Sequence, residues 1–236
     1  MRPVRRTEDA TAAWEIARPS RATALPGVDN SAQRAIYKGL ATLDHRLYAT
    51  DFHNGRVDVF DASFNPVTTS GGFTDPKVAT GFAPFGIQAI GGDIFVTYAK
   101  QDKAKHDDVA GAGLGYVDEF TPAGKLVARV ASGGRKNAPP NAPWGLALAP
   151  SSFGPFAGDV LIGNFGNGRI SAYTQRGAKW VFKGQLRTAS GTPVEIDGLW
   201  AIAFGNGSAA GPTTSLYFAA GPGAEARGLF GSIAAG

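Results

Sequence analysis

The sequence predicts an all-β protein built from a succession of small antiparallel sheets, and three observations carry that prediction. Glycine reaches 33 of 236 residues and aromatics 11%, while Asp, Glu, Lys and Arg together make up only 18%. A helical bundle takes more charge and less glycine, and a disordered chain takes fewer aromatics. Four segments then align with one another: Tyr37-Lys-Gly-Leu-Ala, Pro84-Phe-Gly-Ile-Gln, Pro143-Trp-Gly-Leu-Ala and Ile196-Asp-Gly-Leu-Trp. Each is followed by two further apolar runs, so the unit repeats at roughly 50 residues, the length of a four-stranded propeller blade with loop insertions.

Within each unit the second strand reads RLYATDF from Arg46, DIFVTYA from Asp93, DVLIGNF from Asp159 and SLYFAAG from Ser215. The third reads GRVDVFD from Gly55, LGYVDEF from Leu114, GRISAY from Gly168 and GLFGSIA from Gly228. In the first of these, Val57 and Val59 share one face while Asp58 and Phe60 share the other, the period of a strand. Asn54-Gly55 and Asn167-Gly168 are hairpin dipeptides in which glycine accepts a positive φ. Gly39, Gly86, Gly145 and Gly198 precede inner strands, where crowding near an axis leaves little room for a Cβ. The connections Thr68–Ala83 and Ala131–Pro143 read as outer strands and crossovers. Four complete blades of the four-stranded type are therefore expected within residues 37–236. Residues 1–36 are expected to supply part of a preceding blade and its connection, with Thr7 to Ile16 in the second half of that blade and Arg21 to Gly27 as its outer strand. The last unit shows no fourth strand, so the ring is expected to lack its N-terminal part and to self-associate through open blade edges.

Charge and cysteine content narrow the function. No cysteine is present, which removes disulfides, thiolate metal sites and a cysteine nucleophile. The net charge of +4 is dispersed, without the basic stripe and interleaved aromatics of a nucleic-acid groove. No run is long enough to insert in a membrane. The cationic start is followed by Glu8 and Asp9 rather than by the apolar core of a signal peptide.

The unit Pro-x-Gly-Ile-Ala, an apolar strand, then Asn-x-Arg-Ile-x-Val-Phe resembles the NHL repeat, best in 37–60 and 143–173. Leu47-Tyr-Ala-Thr-Asp-Phe, Ala142-Pro-Trp-Gly-Leu-Ala-Leu-Ala-Pro and Gly163-Asn-Phe-Gly-Asn-Gly-Arg-Ile are similar to an uncharacterised family of bacterial propellers, often exported. That resemblance implies six blades in the full-length form and a periplasmic or extracellular location. It brings no established activity.

In a blade meander, the start of the first strand and the end of the second converge on one face around the channel. This places Lys38, Phe85, Trp144 and Asp197 in one ring and Asp51, Tyr98 and Asn164 in the next. Polar groups and aromatics in such a concavity are expected to bind a small molecule or a protein partner. A resemblance to gluconolactonase-type propellers implies an alternative, a calcium-dependent lactonase. Asp197 would be its central ligand, with Asn164 and Asp51 beginning the six or so oxygens that calcium takes. The plainer reading of Asp197 is that it pairs with Lys38 or caps backbone N–H groups. The charged insertion bearing Asp102, His106, Asp107 and Asp108 is expected to be a solvated loop. Trp144 and Trp200 are expected in the core or lining the channel. No nucleophile elbow, zinc-protease motif or serine triad is present.

Overall fold

The computed structural model describes residues 27–235, so the expected partial blade over Thr7 to Ile16 lies outside the described residues. Four antiparallel sheets follow one another along the chain, each a simple meander of neighbouring strands. The first contains β1 (Tyr37–Leu43), β2 (Arg46–Asp51) and β3 (Arg56–Phe60). The second contains β4 (Phe82–Ile90), β5 (Asp93–Lys100), β6 (Gly115–Phe120) and β7 (Leu126–Ser132). The third contains β8 (Pro143–Leu148), β9 (Val160–Asn164), β10 (Ile170–Arg176) and β11 (Lys179–Gln185). The fourth contains β12 (Leu199–Phe204), β13 (Ser215–Ala220) and β14 (Leu229–Ala234). Helix is confined, among the described residues, to two single 3-10 turns at Ser31–Gln33 and Gly154–Phe156.

The blade reading is observed, with one difference: two sheets have three strands rather than four. In the first sheet the outer strand shrinks to a Phe60–Pro66 bridge and a bond from the Val67 N–H to the Val59 carbonyl. Pro66 has no N–H to extend a ladder. The chain then leaves for the second sheet, where Gly71 and Phe73 donate to the carbonyls of Ala123 and Gly124.

Alternation along the second strands explains why the sheets stack. Ile94, Val96 and Tyr98 of β5 join Tyr48 and Val59 of the first sheet in one buried cluster. Phe95, one residue out of phase, joins Leu146, Val160 and Ile162 of the third sheet. Leu161 in turn packs with Leu199, Ile202 and Leu216 of the fourth. Both faces of a central blade are thus apolar, and successive side chains serve successive interfaces. Each fully buried Leu, Ile or Phe contributes about 1.5–3 kcal/mol relative to exposure.

The inner strands β1, β4, β8 and β12 pack side by side in that order. A Cβ on Gly39 would meet the Phe85 carbonyl oxygen at 3.0 Å, one on Gly86 the Trp144 oxygen at 2.0 Å, and one on Gly145 the Trp200 oxygen at 3.0 Å. Glycine is required here by the close approach of neighbouring blades, as its place in the repeat suggests. Thr50 caps the same junction by donating to the Phe85 carbonyl at 2.6 Å.

A candidate ligand site at the channel mouth

Every inner strand carries a β-bulge at the same point of its ladder. Register shifts fall between Tyr37 and Gly39, Pro84 and Ile87, Pro143 and Leu146, and Leu199 and Ala201. An extra residue at a bulge leaves the ladder and re-aims its side chain. The residues at this step are Lys38, Phe85, Trp144 and Trp200.

Trp200 therefore takes the place expected for Asp197. Asp197 lies two residues before β12, is exposed, and accepts a hydrogen bond from the Gly223 N–H at 2.8 Å. It caps backbone, as in the plainer reading, and does not pair with Lys38. Gly198 matches the other repeat glycines in the letters but is a glycine for another reason: its φ of +64° favours glycine, and a Cβ there would meet the Gly221 carbonyl. Replacing Asp197 with alanine is expected to cost no more than about 1 kcal/mol, the net worth of one exposed hydrogen bond. A urea denaturation curve measures it.

Asp51, Tyr98 and Asn164 occupy equivalent positions, opposite Tyr37, Pro84 and Pro143 in their ladders. All three are buried rather than open to the channel. The Asp51 carboxylate accepts from the Ile36 N–H at 3.1 Å and from Asn54 Nδ2 at 2.7 Å, with Arg56 at 3.4 Å. Asn164 accepts from the Asn141 N–H at 2.9 Å and donates to the Arg169 carbonyl at 3.0 Å. These groups hold the two Asn-Gly hairpins. The Tyr98 hydroxyl donates to the Phe73 carbonyl at 3.3 Å, and burial drives its pKa well up.

The expected calcium ligands Asp51, Asn164 and Asp197 thus lie in the first sheet, the third sheet and the connection to the fourth, and each is committed elsewhere. No group of three or more His, Cys, Asp or Glu side chains among the described residues is arranged to hold a metal ion. The donor set does not fit calcium.

What the bulges do assemble is a cavity lined by Lys38, Trp144 and Trp200 and backed by a buried aromatic cluster. Phe52 packs on Phe85 with ring centroids 5.2 Å apart, Phe85 on Trp144 at 4.5 Å, and Trp144 on Phe165 at 5.6 Å. The Trp144 indole N–H donates to the Lys38 carbonyl at 3.0 Å, linking the third sheet to the first. The Trp200 N–H donates to Glu225 at 2.6 Å, and its ring lies over Gly221, where a Cβ would come within 2.2 Å. A cavity of about 300 Å³ is lined by Lys38, Gln88, Trp144, Leu146, Trp200 and Ile202, among others.

The charged insertion is part of this mouth. Residues 101–108 form a hairpin closed by a Gln101–Asp108 bridge and by the Asp102 N–H donating to the Asp107 carbonyl at 2.8 Å. Gln101 Nε2 donates to the Phe52 carbonyl at 2.6 Å, and Lys38 Nζ donates to Asp107 Oδ1 at 2.9 Å. Asp107 also meets His106 Nδ1 at 2.9 Å. Burial pushes the Asp108 carboxyl up to about 6; a hydrogen bond from its own backbone N–H and the charge of Lys38 pull it down, while Asp107 and Glu225 push it further up. Residues 103–107 are exposed, as expected of a solvated loop, and Asp107 is in addition tied to the inner ring through Lys38.

The arrangement defines a β-propeller arc whose channel mouth carries a pre-formed aromatic and charged concavity. No protein-family profile matches the chain. Three curated proteins of Acanthamoeba polyphaga mimivirus are similar in sequence. Uncharacterized protein R640 is 35% identical over 74% of this chain and 32% of its own length. R648 is 34% identical over 71% of this chain and 41% of its own, and L690 is 31% identical over 84% and 51%. The chain spans about a third to a half of the length of these relatives. They are viral, so they lend no support to the bacterial and exported setting that the family resemblance implied.

Among solved structures, XC5397 from Xanthomonas campestris, a gluconolactonase, superposes with a TM-score of 0.54 at 14% identity, over 88% of this chain and 64% of its own. A structural-genomics target described as a candidate gluconolactonase gives 0.57 at 14%, over 88% and 66%. A glucose dehydrogenase gives 0.50 at 15%, over 84% and 63%. At these identities the likeness concerns the fold, that of six-bladed propellers. Four blades covering about two thirds of such chains agree with the count of sheets.

Proposed function

We propose that this protein is a binding propeller that takes a small molecule at the channel mouth. The observation that carries the reading is the bulge step, which brings Lys38, Trp144 and Trp200 to the lining of one cavity. A metal-assisted lactonase would need a donor set that the described residues do not assemble. Screening a metabolite library by intrinsic tryptophan fluorescence and isothermal titration tests the reading. A bound compound should lose about tenfold or more in affinity, roughly 1.4 kcal/mol, in Trp200→Ala or Trp144→Ala. A library without a binder, or a binder indifferent to both substitutions, would sink it.

Self-association is proposed alongside. None of the strands β12, β13 and β14 contains a charged residue. Among the described residues β14 pairs only with β13, and its Phe230 is 74% exposed. Such an edge lacks the lysines that blunt β11 at Lys179 and Lys183. Sedimentation velocity should show concentration-dependent association that Phe230→Lys reduces; a monomer at every concentration would contradict this.

A further inference from the structure

The wall of the channel-mouth cavity carries one charge. Among the described residues, Lys38 is the only ionisable side chain lining it, and apart from Gln88 the rest of the wall is hydrocarbon, indole or glycine. Both indole N–H groups are committed, Trp144 to the Lys38 carbonyl and Trp200 to Glu225, so what the two rings offer a ligand is apolar surface. Lys38 is neutralised from outside the cavity. Its Nζ donates to Asp107 Oδ1 at 2.9 Å, and Asp107 is not part of the lining. The two side chains are 18% and 63% exposed. An ion pair with one partner this exposed is weak. The other oxygen of Asp107 meets His106 Nδ1 at 2.9 Å, so this carboxylate keeps a partner when Lys38 leaves it. The hairpin does not depend on the pair either. Gln101 Nε2 holds it to the Phe52 carbonyl at 2.6 Å, and the Asp102 N–H closes it on the Asp107 carbonyl at 2.8 Å. The Lys38 ammonium is largely shielded, and a shielded cation is costly without a counter-charge. Whatever displaces Asp107 must therefore bring an anion of its own.

We propose that the cavity binds a monocarboxylate with an apolar body, whose acid group takes the place of Asp107 on Lys38 while the body lies against Trp144 and Trp200. This rests on the channel-mouth reading above and specifies its ligand class. The Asp107 side chain is then an internal stand-in for the ligand's carboxylate. A volume of about 300 Å³ restricts the ligand to a small one. A cationic ligand would meet an ammonium and no lining carboxylate. A polyanion such as a phosphate ester would find one positive side chain in an otherwise apolar wall, too few donors for its oxygens. A neutral ligand would be indifferent to Asp107.

The probes are hydrocinnamate, its neutral amide and the cation phenylpropylammonium, which share one phenylalkyl body. Each is titrated by calorimetry at neutral pH into the wild type, Lys38→Met and Asp107→Asn, with melting curves confirming that the variants are folded. Hydrocinnamate should bind the wild type about tenfold or more tightly than the amide and the amine, the contribution of a hydrogen bond to a charged partner. Lys38→Met keeps an apolar stem without the charge and should abolish that preference. Asp107→Asn should bind hydrocinnamate about two- to fivefold more tightly than the wild type, because the internal competitor is weakened. Asp102→Asn removes an equal charge from the same hairpin but not the partner of Lys38, and should give no comparable gain. Should Lys38→Met fail to fold, the ranking of the probes and the gain in Asp107→Asn decide. Equal binding of the three probes, or undiminished hydrocinnamate affinity in Lys38→Met, would overturn the proposal; a loss in Trp144→Ala or Trp200→Ala would then still uphold a small-molecule site at the mouth. An affinity in Asp107→Asn no higher than in the wild type would overturn the displacement of Asp107 and the proposal with it. If none of the three probes binds, the carboxylate proposal fails, and the library screen alone decides whether the mouth is a site at all.

Discussion

Replacing Arg129 with methionine is expected to cost about 3–5 kcal/mol, the range for removing one partner from a buried ion pair. The guanidinium lies between two carboxylates whose side chains are 0% and 1% exposed, those of Asp118 and Asp75. It bonds Asp118 through Nε, meets Asp75 through Nη2 at 2.5 Å, and stacks over the Tyr116 ring at 4.8 Å. Asp118 and Arg129 face each other across β6 and β7, while Asp75 belongs to the connection from the first sheet. One cation therefore ties that connection to the second blade, and without it two buried carboxylates face each other. The pH dependence has a definite sign. Burial pushes the Asp118 carboxyl up to about 7 against the pull of Arg129, whereas an unfolded Asp titrates near about 3.9. The native state thus keeps this proton where the unfolded state has lost it. The group's contribution is complete below about pH 4 and is lost as pH rises through about 7. Urea denaturation at pH 5 and pH 8 should show a wider gap between wild type and Arg129→Met at the higher pH. Adding Asp118→Asn to the variant should narrow it. An equal cost at both pH values would mean that Arg129 acts by packing alone.

Gly86→Ala is expected to be similarly damaging, at about 3 kcal/mol or more, the upper end of overpacking. The added carbon would sit 2.0 Å from the Trp144 carbonyl oxygen and 2.9 Å from its carbon. Both atoms are backbone, so relief requires two blades to part. Gly55→Ala provides the contrast, because nothing lies within 4 Å of its Cβ and only the φ of +70° is unfavourable. That substitution should cost about 1–2 kcal/mol. Thermal melts of the two variants separate blade crowding from local backbone strain.

The blade count and strand alternation were legible in the letters because both reflect local rules, period-two patterning and Asn-Gly turns. The shared bulge step was legible in three blades and lies at Trp200 rather than Asp197 in the fourth. Gly39, Gly86 and Gly145 are glycines through crowding and Gly198 through its positive φ, and a sequence writes both causes with the same letter. The second strand carries the distinguishing signal, since Ala220 lies opposite Leu199 and fixes Trp200 as the bulge residue. The mouth's charged half was hidden for a different reason. Lys38 and Asp107 are 69 residues apart, and the hairpin carrying Asp107 has no counterpart in the other units. Neither periodicity nor repeat comparison reports such a contact. Asp51 and Asn164 stand at the ladder positions read from the sequence, and the two Asn-Gly hairpins were legible as well; the hydrogen bonds that join each side chain to its hairpin are seen only in the structure.

The repeated bulge also bears on how such a molecule changes over time. A residue outside the ladder can be exchanged without disturbing the pairing on either side, and here the same backbone step sends Lys38, Trp144 and Trp200 to the cavity while Phe85 is buried between blades. The folding information is carried by neighbours such as Gly86, Thr50 and Phe85, and the chemistry by the three cavity-lining side chains. Mutational drift in ligand preference is therefore largely uncoupled from drift in stability. Descendants of one ancestral blade arc could acquire unrelated ligands by substitutions at three sites, while their architecture stayed recognisable long after their sequences had diverged.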